Sequence, residues 1–539
     1  MPKIVNRPYS LDLQFRGFIE GLAHVDSQSS DKPLCYYFGG IPYALPPVGP
    51  FRFQKPRPLP PCYRYGTRAN PGRYVGGSGL CPQPNKDGKL NADEWDEDCL
   101  QLNVWMPAGD TPDEGWPVLF YIHGGFLQVG SPNSINPIAL LSETSLNSII
   151  VIPGYRLNIF GFLSAAELLP SQDFTPNAGF WDQRLALEWT WQNASYFGGN
   201  ASNITIQGYS AGAHSVFHQL RYDLSVPDSK GIIKRAMMLS NGPGVQPKSV
   251  AESQEQFEQL LSALQIPSSL SPADKLARLR SLPAKSLLEA ARKIPLHQFR
   301  GVTDDSFIAS HIVSELDSGL FAARLKRRNI SLVIGECEAE YHMYGVYIPP
   351  SSMTIAALSA RLKADYPSAA VDALMRHYFP NGRFPKDRFK NWSDAFGRIY
   401  ADLQVYALER GMVSALVKHG AGHLVHRYRI EWRAGCCDAW VRPKWGVTHT
   451  TDMAIWFWGN GFGLSEGEKD VLRRAFIEPL ASFVRGTSMD WKAKGLQLRT
   501  LKQDGSVVVE EDSRLEDGLR VWEVLGQVDG RGRVRESKL

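Results

Sequence analysis

Ser210 stands in Gly208-Tyr209-Ser210-Ala211-Gly212, directly after the run Asn203-Ile204-Thr205-Ile206. A serine between small residues at the end of a strand is spaced as a nucleophile on a sharp strand-to-helix turn. The turn lifts the hydroxyl to the edge of a sheet and aims the Ala211 N–H at a reacting carbonyl oxygen. A serine hydroxyl is a weak nucleophile at neutral pH, so it needs a base, usually histidine, held by a carboxylate. His449 lies in "WGVTHTTDMAIWFWG", a polar loop late in the chain, where the order serine, acid, histidine places the base. Between the two, "SLVIGECEAEY" offers Glu336, Glu338 and Glu340, and loop geometry leaves all three open. His123-Gly124-Gly125-Phe126 follows the strand pattern "VLFYI". Glycines there let main-chain N–H groups approach an oxyanion, each donor contributing about 3 kcal/mol in the transition state. The chemistry these parts could perform is acyl transfer through a covalent serine intermediate. His214 and His218 have the spacing of half a zinc helix, but no third ligand accompanies them, and they are read as structural.

Those side chains need elements to position them. Val118–Ile122, Ser148–Ile152, Asn203–Ile206, Arg235–Ser240, Ser331–Gly335 and His423–Trp432 read as strands. Several lack polar alternation, as strands buried on both faces do. Trp181–Phe197 and the segment after Ser210 have helical spacing. The alternation predicts an α/β fold with a mostly parallel central sheet flanked by helices. From Val250 to Lys293 the pattern is helical throughout, which predicts a helical insertion within residues 245–330. The 539 residues are 43% hydrophobic and 21% charged with a net charge of +4, too dilute a charge to point to nucleic acid. No run of 18 apolar residues suggests a membrane span. The first residues show no apolar export segment.

At this point several long segments resemble the type-B carboxylesterase family, which includes fungal lipases and cholinesterases. They are "YYFGGIPYALPPVGPFRFQKPRP" from Tyr36, "EDCLQLNVWMP" from Glu97, the stretch from Asn177 to Gly212, and "GVTHTTDMAIWFWG" around His449. The resemblance implies an α/β-hydrolase fold, with residues 1–539 forming one domain. By position it implies Ser210 as nucleophile, His449 as base, Glu340 as the acid, and Gly125, Phe126 and Ala211 as oxyanion donors. It aligns Cys81 and Cys99 with a family disulfide. Tyr209 stands where the family commonly has glutamate, so a cationic substrate is disfavoured. Phe126 replaces a glycine and crowds the pocket, and Tyr341 replaces the glycine after the acid.

The resulting expectation is a serine carboxylic-ester hydrolase acting on an uncharged or apolar small-molecule or lipid-like ester, without metal or cofactor. An acyltransferase or acyl-CoA thioesterase would use the same triad, and a non-catalytic scaffold on the same fold is the remaining alternative. Seven cysteines are too few and odd for a disulfide scaffold. The terminal Ser537-Lys538-Leu539 reads as a peroxisomal address recognised by an import receptor, with the cytoplasm as the alternative location.

Overall fold

A computed structural model describes residues 3–28, 32–85 and 88–529. The terminal tripeptide at 537–539 lies outside the described residues. Twelve strands form a continuous path: β1 (Ile4–Asp12), β2 (Phe18–Asp26), β3 (Pro33–Pro42), β4 (Gln101–Pro107), β5 (Trp116–Ile122), β6 (Ile149–Pro153), β7 (Gly199–Tyr209), β8 (Ile233–Leu239), β9 (Ser331–Cys337), β10 (Val425–Ile430), β11 (Leu498–Leu501) and β12 (Val507–Glu510). Their spatial order is β1-β2-β3-β4-β6-β5-β7-β8-β9-β10-β11-β12, and the short strand Gly72–Arg73 pairs with β2 off this path. From β6 through β11 every neighbouring pair is parallel. β1 to β4 and the closing β12 add antiparallel pairs at the two edges.

The strand runs are apolar because both faces are covered. Along β5, Val118, Phe120 and Ile122 enter one core cluster while Leu119 and Tyr121 enter the other. β8 does the same with Ala236 and Met238 on one side and Met237 and Leu239 on the other. This is the period of two of a pleated strand, expressed between two helical layers. Helix α1 (Ala178–Asn193) precedes β7, and α2 (Ala211–Asp223) follows it directly after Ser210. Within the predicted insertion, α3 (Ser253–Ala263), α4 (Pro272–Ser281) and α5 (Ala284–Lys293) follow one another without an intervening strand. A parallel bridge between Ser249 and Thr303 ties the two sides of that segment together.

Each strand read from a hydrophobic run overlaps one of β5 to β10, but Ser148, Ser240 and both ends of His423–Trp432 lie outside, and His423 and Leu424 fall in a short 3-10 turn. The antiparallel β1 to β4 do not announce themselves in the same way. β1 is an edge strand built largely of exposed residues, so it carries no apolar run.

Candidate active site

β7 ends at Tyr209, α2 begins at Ala211, and Ser210 between them has φ 56° and ψ −126°. A non-glycine residue in that region is strained by about 1–3 kcal/mol and persists only where its surroundings enforce it. They do so here. The Ser210 N–H donates to the Leu239 carbonyl at the end of β8, 2.8 Å away. A Cβ on Gly208 would lie 2.2 Å from the Gly212 carbonyl oxygen, and one on Gly212 would lie 2.0 Å from that of Ile122. Glycine at both positions is what allows α2 to dock against the sheet with the serine at its N-terminus.

His449 Nε2 lies 2.8 Å from Ser210 Oγ, and His449 Nδ1 lies 2.6 Å from Glu340 Oε2. All three side chains are buried. A carboxylate only accepts, so the ring hydrogen sits on Nδ1 and leaves Nε2 as the acceptor for the serine hydroxyl. The imidazole is held between two tyrosine rings, Tyr209 at 5.0 Å and Tyr344 at 4.8 Å between centroids. The Tyr344 hydroxyl is 3.5 Å from both ring nitrogens, too long for a firm hydrogen bond to either, and it orients the ring by packing.

The structure distinguishes the three glutamates. Glu336 is fully buried at the end of β9 and receives Arg410 and Arg429 at 2.7 and 2.9 Å. Burial opposes its charge, but Arg410 and Arg429 outweigh that and hold its carboxyl well below the usual range. It is therefore committed to an ion network with Arg427 and Asp512, which also joins β10 to the segment after β12. Glu338 is half-buried and Glu340 alone reaches His449. Glu340 is itself fastened: Oε1 accepts from the Cys337 N–H at 2.8 Å, and its own N–H donates to the Tyr406 hydroxyl at 2.8 Å.

The loop expected to supply the oxyanion donors turns through three successive residues of positive φ, Gly125 (111°), Phe126 (59°) and Leu127 (63°). Gly125 is required, since a Cβ there would sit 2.0 Å from the Val129 carbonyl oxygen. Among the described residues, the N–H groups of Gly125, Phe126 and Ala211 have no loop or cap hydrogen bond to a carbonyl. The loop is anchored on both sides. Gln83 makes a reciprocal pair with Gly130, 2.8 and 2.7 Å, and the Gln128 amide donates to the Phe299 carbonyl at 2.5 Å. Cys81 and Cys99 are joined in a disulfide, and the Gln83 amide also donates to the Cys81 carbonyl at 3.0 Å. The disulfide loop is thus tied to the Gly125–Gly130 loop through one glutamine.

Two buried groups beside Ser210, His449 and Glu340 escaped the sequence reading. Asp452, three residues beyond His449 in the same turn, accepts from the Ser240 hydroxyl at 3.0 Å, while its other oxygen has no hydrogen-bond partner among the described residues. Burial, reinforced by the charge of Glu340, pushes its carboxyl up to about 7. Its only sequence signal was an acid three residues after the histidine in the same loop. Tyr406 carried no local signal, because it reaches Glu340 from a distant helical segment. His214 and His218 pack edge to face at 4.5 Å, and burial lowers the first to about 4 and the second further; His218 is a buried core ring and His214 is partly buried. Among the described residues, no group of three or more potential ligands forms a metal cluster, and no helix is long and apolar enough to cross a membrane.

Residues 8–502 match the model of the carboxylesterase family. The chain is 44% identical over 521 residues to a carboxylic ester hydrolase of Gibberella moniliformis, covering 94% of each. It is 38% identical over 538 residues to an uncharacterized esterase/lipase of Schizosaccharomyces pombe, covering 97% of this chain and 98% of that protein. Among solved structures, EstA of Aspergillus niger superposes with a TM-score of 0.74 at 21% identity, covering 97% of this chain and 99% of the other, a likeness of fold.

Proposed function

The chain belongs to the carboxylesterase family and is a carboxylesterase-type hydrolase, and on that premise we propose that it cleaves esters through an acyl-enzyme on Ser210. The observation that carries this reading is the unbroken relay Ser210–His449–Glu340, with contacts of 2.8 and 2.6 Å. His449 Nε2 takes the hydroxyl proton as Ser210 Oγ attacks the ester carbon. General-base assistance of this kind contributes about 10²–10⁴-fold. Glu340 stabilises the imidazolium and keeps the ring in its tautomer. The carbonyl oxygen, now negative, receives the N–H groups of Gly125, Phe126 and Ala211. Collapse of the tetrahedral adduct expels the alcohol, which takes its proton from His449 Nε2. A water deprotonated by the same nitrogen then attacks the acyl carbon, and a second collapse frees the acid and restores Ser210.

Tyr209 bears on substrate charge. It is buried beside the imidazole, and burial keeps its hydroxyl neutral far above physiological pH, so the residue before the nucleophile brings no negative charge to attract a cation.

The test is labelling with a fluorophosphonate together with turnover of a p-nitrophenyl ester. Wild-type protein is expected to label at Ser210 and to release acid and alcohol. Ser210→Ala is expected to do neither while keeping its circular-dichroism spectrum. Turnover retained in that variant would defeat the assignment, and acyl transfer to an added alcohol in preference to water would move the protein to the transferases.

A further inference from the structure

The reacting groups are closed off from solvent: Ser210 is 4% exposed, His449 2% and Glu340 0%. An ester carbonyl therefore reaches Ser210 when some part of the wall moves. The Gly125–Gly130 loop is fastened through Gln83 and Gln128. Facing it is a strap, residues 345–354, which runs from the helical turn Tyr341–Tyr344 to helix α6 (Ile355–Asp365). Tyr347 in this strap lies flat on Phe126, with centroids 3.5 Å apart. Two side chains from outside the strap hold it there. Ser393 Oγ donates to the Gly345 carbonyl at 2.9 Å, and Arg361 Nε on α6 donates to the Ile348 carbonyl at 2.6 Å. Arg361 is itself fixed by Asp365, 2.5 Å from its Nη1.

The strap is strained where Arg361 grips it. Ile348 has φ 41°. A β-branched residue at positive φ is a genuine outlier, and a residue that precedes a proline, here Pro349, is pushed toward extended backbone instead. The strap is also poorly supported. Val346, Ile348 and Met353 are exposed apolar side chains, Met353 to 76%. On its outer side Ile348, Pro349 and Ser351 border a cavity of about 670 Å³, so outward movement meets open space rather than packed core. A segment with few buried apolar contacts and a strained backbone is the part of a wall that opens at least cost.

We propose that residues 345–350 are a gate over Ser210, latched shut by Arg361 and helped open by the strain released at Ile348. Opening lifts Tyr347 off Phe126 and uncovers the space beside the reacting carbon. The rate with any ester is then scaled by the fraction of molecules in which the strap is open. The inference rests on Ser210 acting as the ester-cleaving nucleophile.

Two variants of the full chain, chosen to move the gate in opposite directions, test it with a p-nitrophenyl ester and a fluorophosphonate. Glycine adopts positive φ without steric cost, so Ile348→Gly relaxes the closed strap and favours it. Its kcat/KM and its rate of labelling at Ser210 are expected to fall together by about five- to tenfold, with a urea midpoint no lower than that of wild type. Arg361→Lys keeps a positive charge beside Asp365 but loses the planar fork that reaches the Ile348 carbonyl. Both of its rates are expected to rise by about two- to fivefold. A plain packing defect would slow both variants and lower the urea midpoint. Unchanged rates in Ile348→Gly, or slower rates with a lower urea midpoint, overturn the gate. Unchanged or slower rates in folded Arg361→Lys overturn it as well. Should Arg361→Lys not fold, Ile348→Gly decides alone, because slower turnover without lost stability is what a relaxed closed gate produces. Wild-type protein that neither labels nor cleaves the ester overturns the esterase reading and the gate together.

Discussion

The main-chain N–H of Cys337 donates to Oε1 of Glu340 at 2.8 Å, across the turn that ends β9. One carboxylate oxygen is thereby fixed to the sheet and the other is left to face His449 at 2.6 Å. The strand end, rather than the loop beyond it, sets the position of the acid. Glu340→Gln keeps the shape but can turn an N–H toward Nδ1 and favour the wrong imidazole tautomer. The expected outcome is a fall in kcat of about 10³–10⁴-fold, the scale of the equivalent change in other serine triads. Steady-state kinetics check it, and an unchanged kcat would remove Glu340 from the relay.

Gly125→Ala tests the oxyanion loop. The added Cβ meets the Val129 carbonyl at 2.0 Å in a backbone already at φ 111°, so the loop must shift and carry the Phe126 N–H with it. Loss of one well-placed donor corresponds to about 10²–10³-fold in kcat. Most of the loss is expected in kcat and little in KM, because the donors act on the charge that develops during reaction. A loss confined to KM would assign the loop to ground-state binding instead.

Tyr347→Ala tests the aromatic wall. Tyr347 lies flat on Phe126, with an interplanar angle of 3°. Removing it frees the Phe126 ring and widens the space beside the reacting carbon. A series of esters of graded acyl length is expected to show the optimum moving toward longer or branched acyl groups, by about tenfold in relative kcat/KM. An unaltered profile would place the acyl chain elsewhere.

Asp452→Asn tests the buried acid behind the triad. Its carboxyl titrates near 7 in the folded protein, against an ordinary 3.8, because burial and the nearby charge of Glu340 disfavour its ionised form. Between those two values the unfolded chain has lost the proton that the folded chain keeps. Stability from this group is therefore present below about 4 and lost as pH rises toward about 7. Asparagine does not ionise, so the variant is expected to lose less stability than wild type between pH 4 and pH 8. Urea denaturation at the two ends of that window checks it, and equal losses would mean that Asp452 ionises freely.

Much of the frame was readable in the chain. β5 and β6 are apolar on both faces, and a segment that must be buried twice cannot hide its composition, whereas β10 carries Arg427 and Arg429 in its buried middle. Ser210 was readable for a related reason: its tight turn excludes Cβ atoms at Gly208 and Gly212, so the geometry is written in residue types a few positions apart. The choice among Glu336, Glu338 and Glu340 was not readable from spacing, and the family likeness was needed to pick one.

What the sequence by itself determined is therefore local: the strands β5 to β10, the strand-to-helix turn at Ser210, the glycine-rich loop and the histidine that a serine would need. What only the tertiary structure decided is which charges face which. Arg410 and Arg429 claim Glu336, Tyr406 steadies Glu340, Ser240 finds Asp452, and Asp365 is divided between Arg361 and Arg300. Hydrophobic burial leaves a periodic record because any apolar neighbour satisfies it. An ion pair depends on one particular partner at one distance, brought from more than 60 positions away in the cases of Arg410, Arg429 and Tyr406, and no repeat in the chain records that meeting.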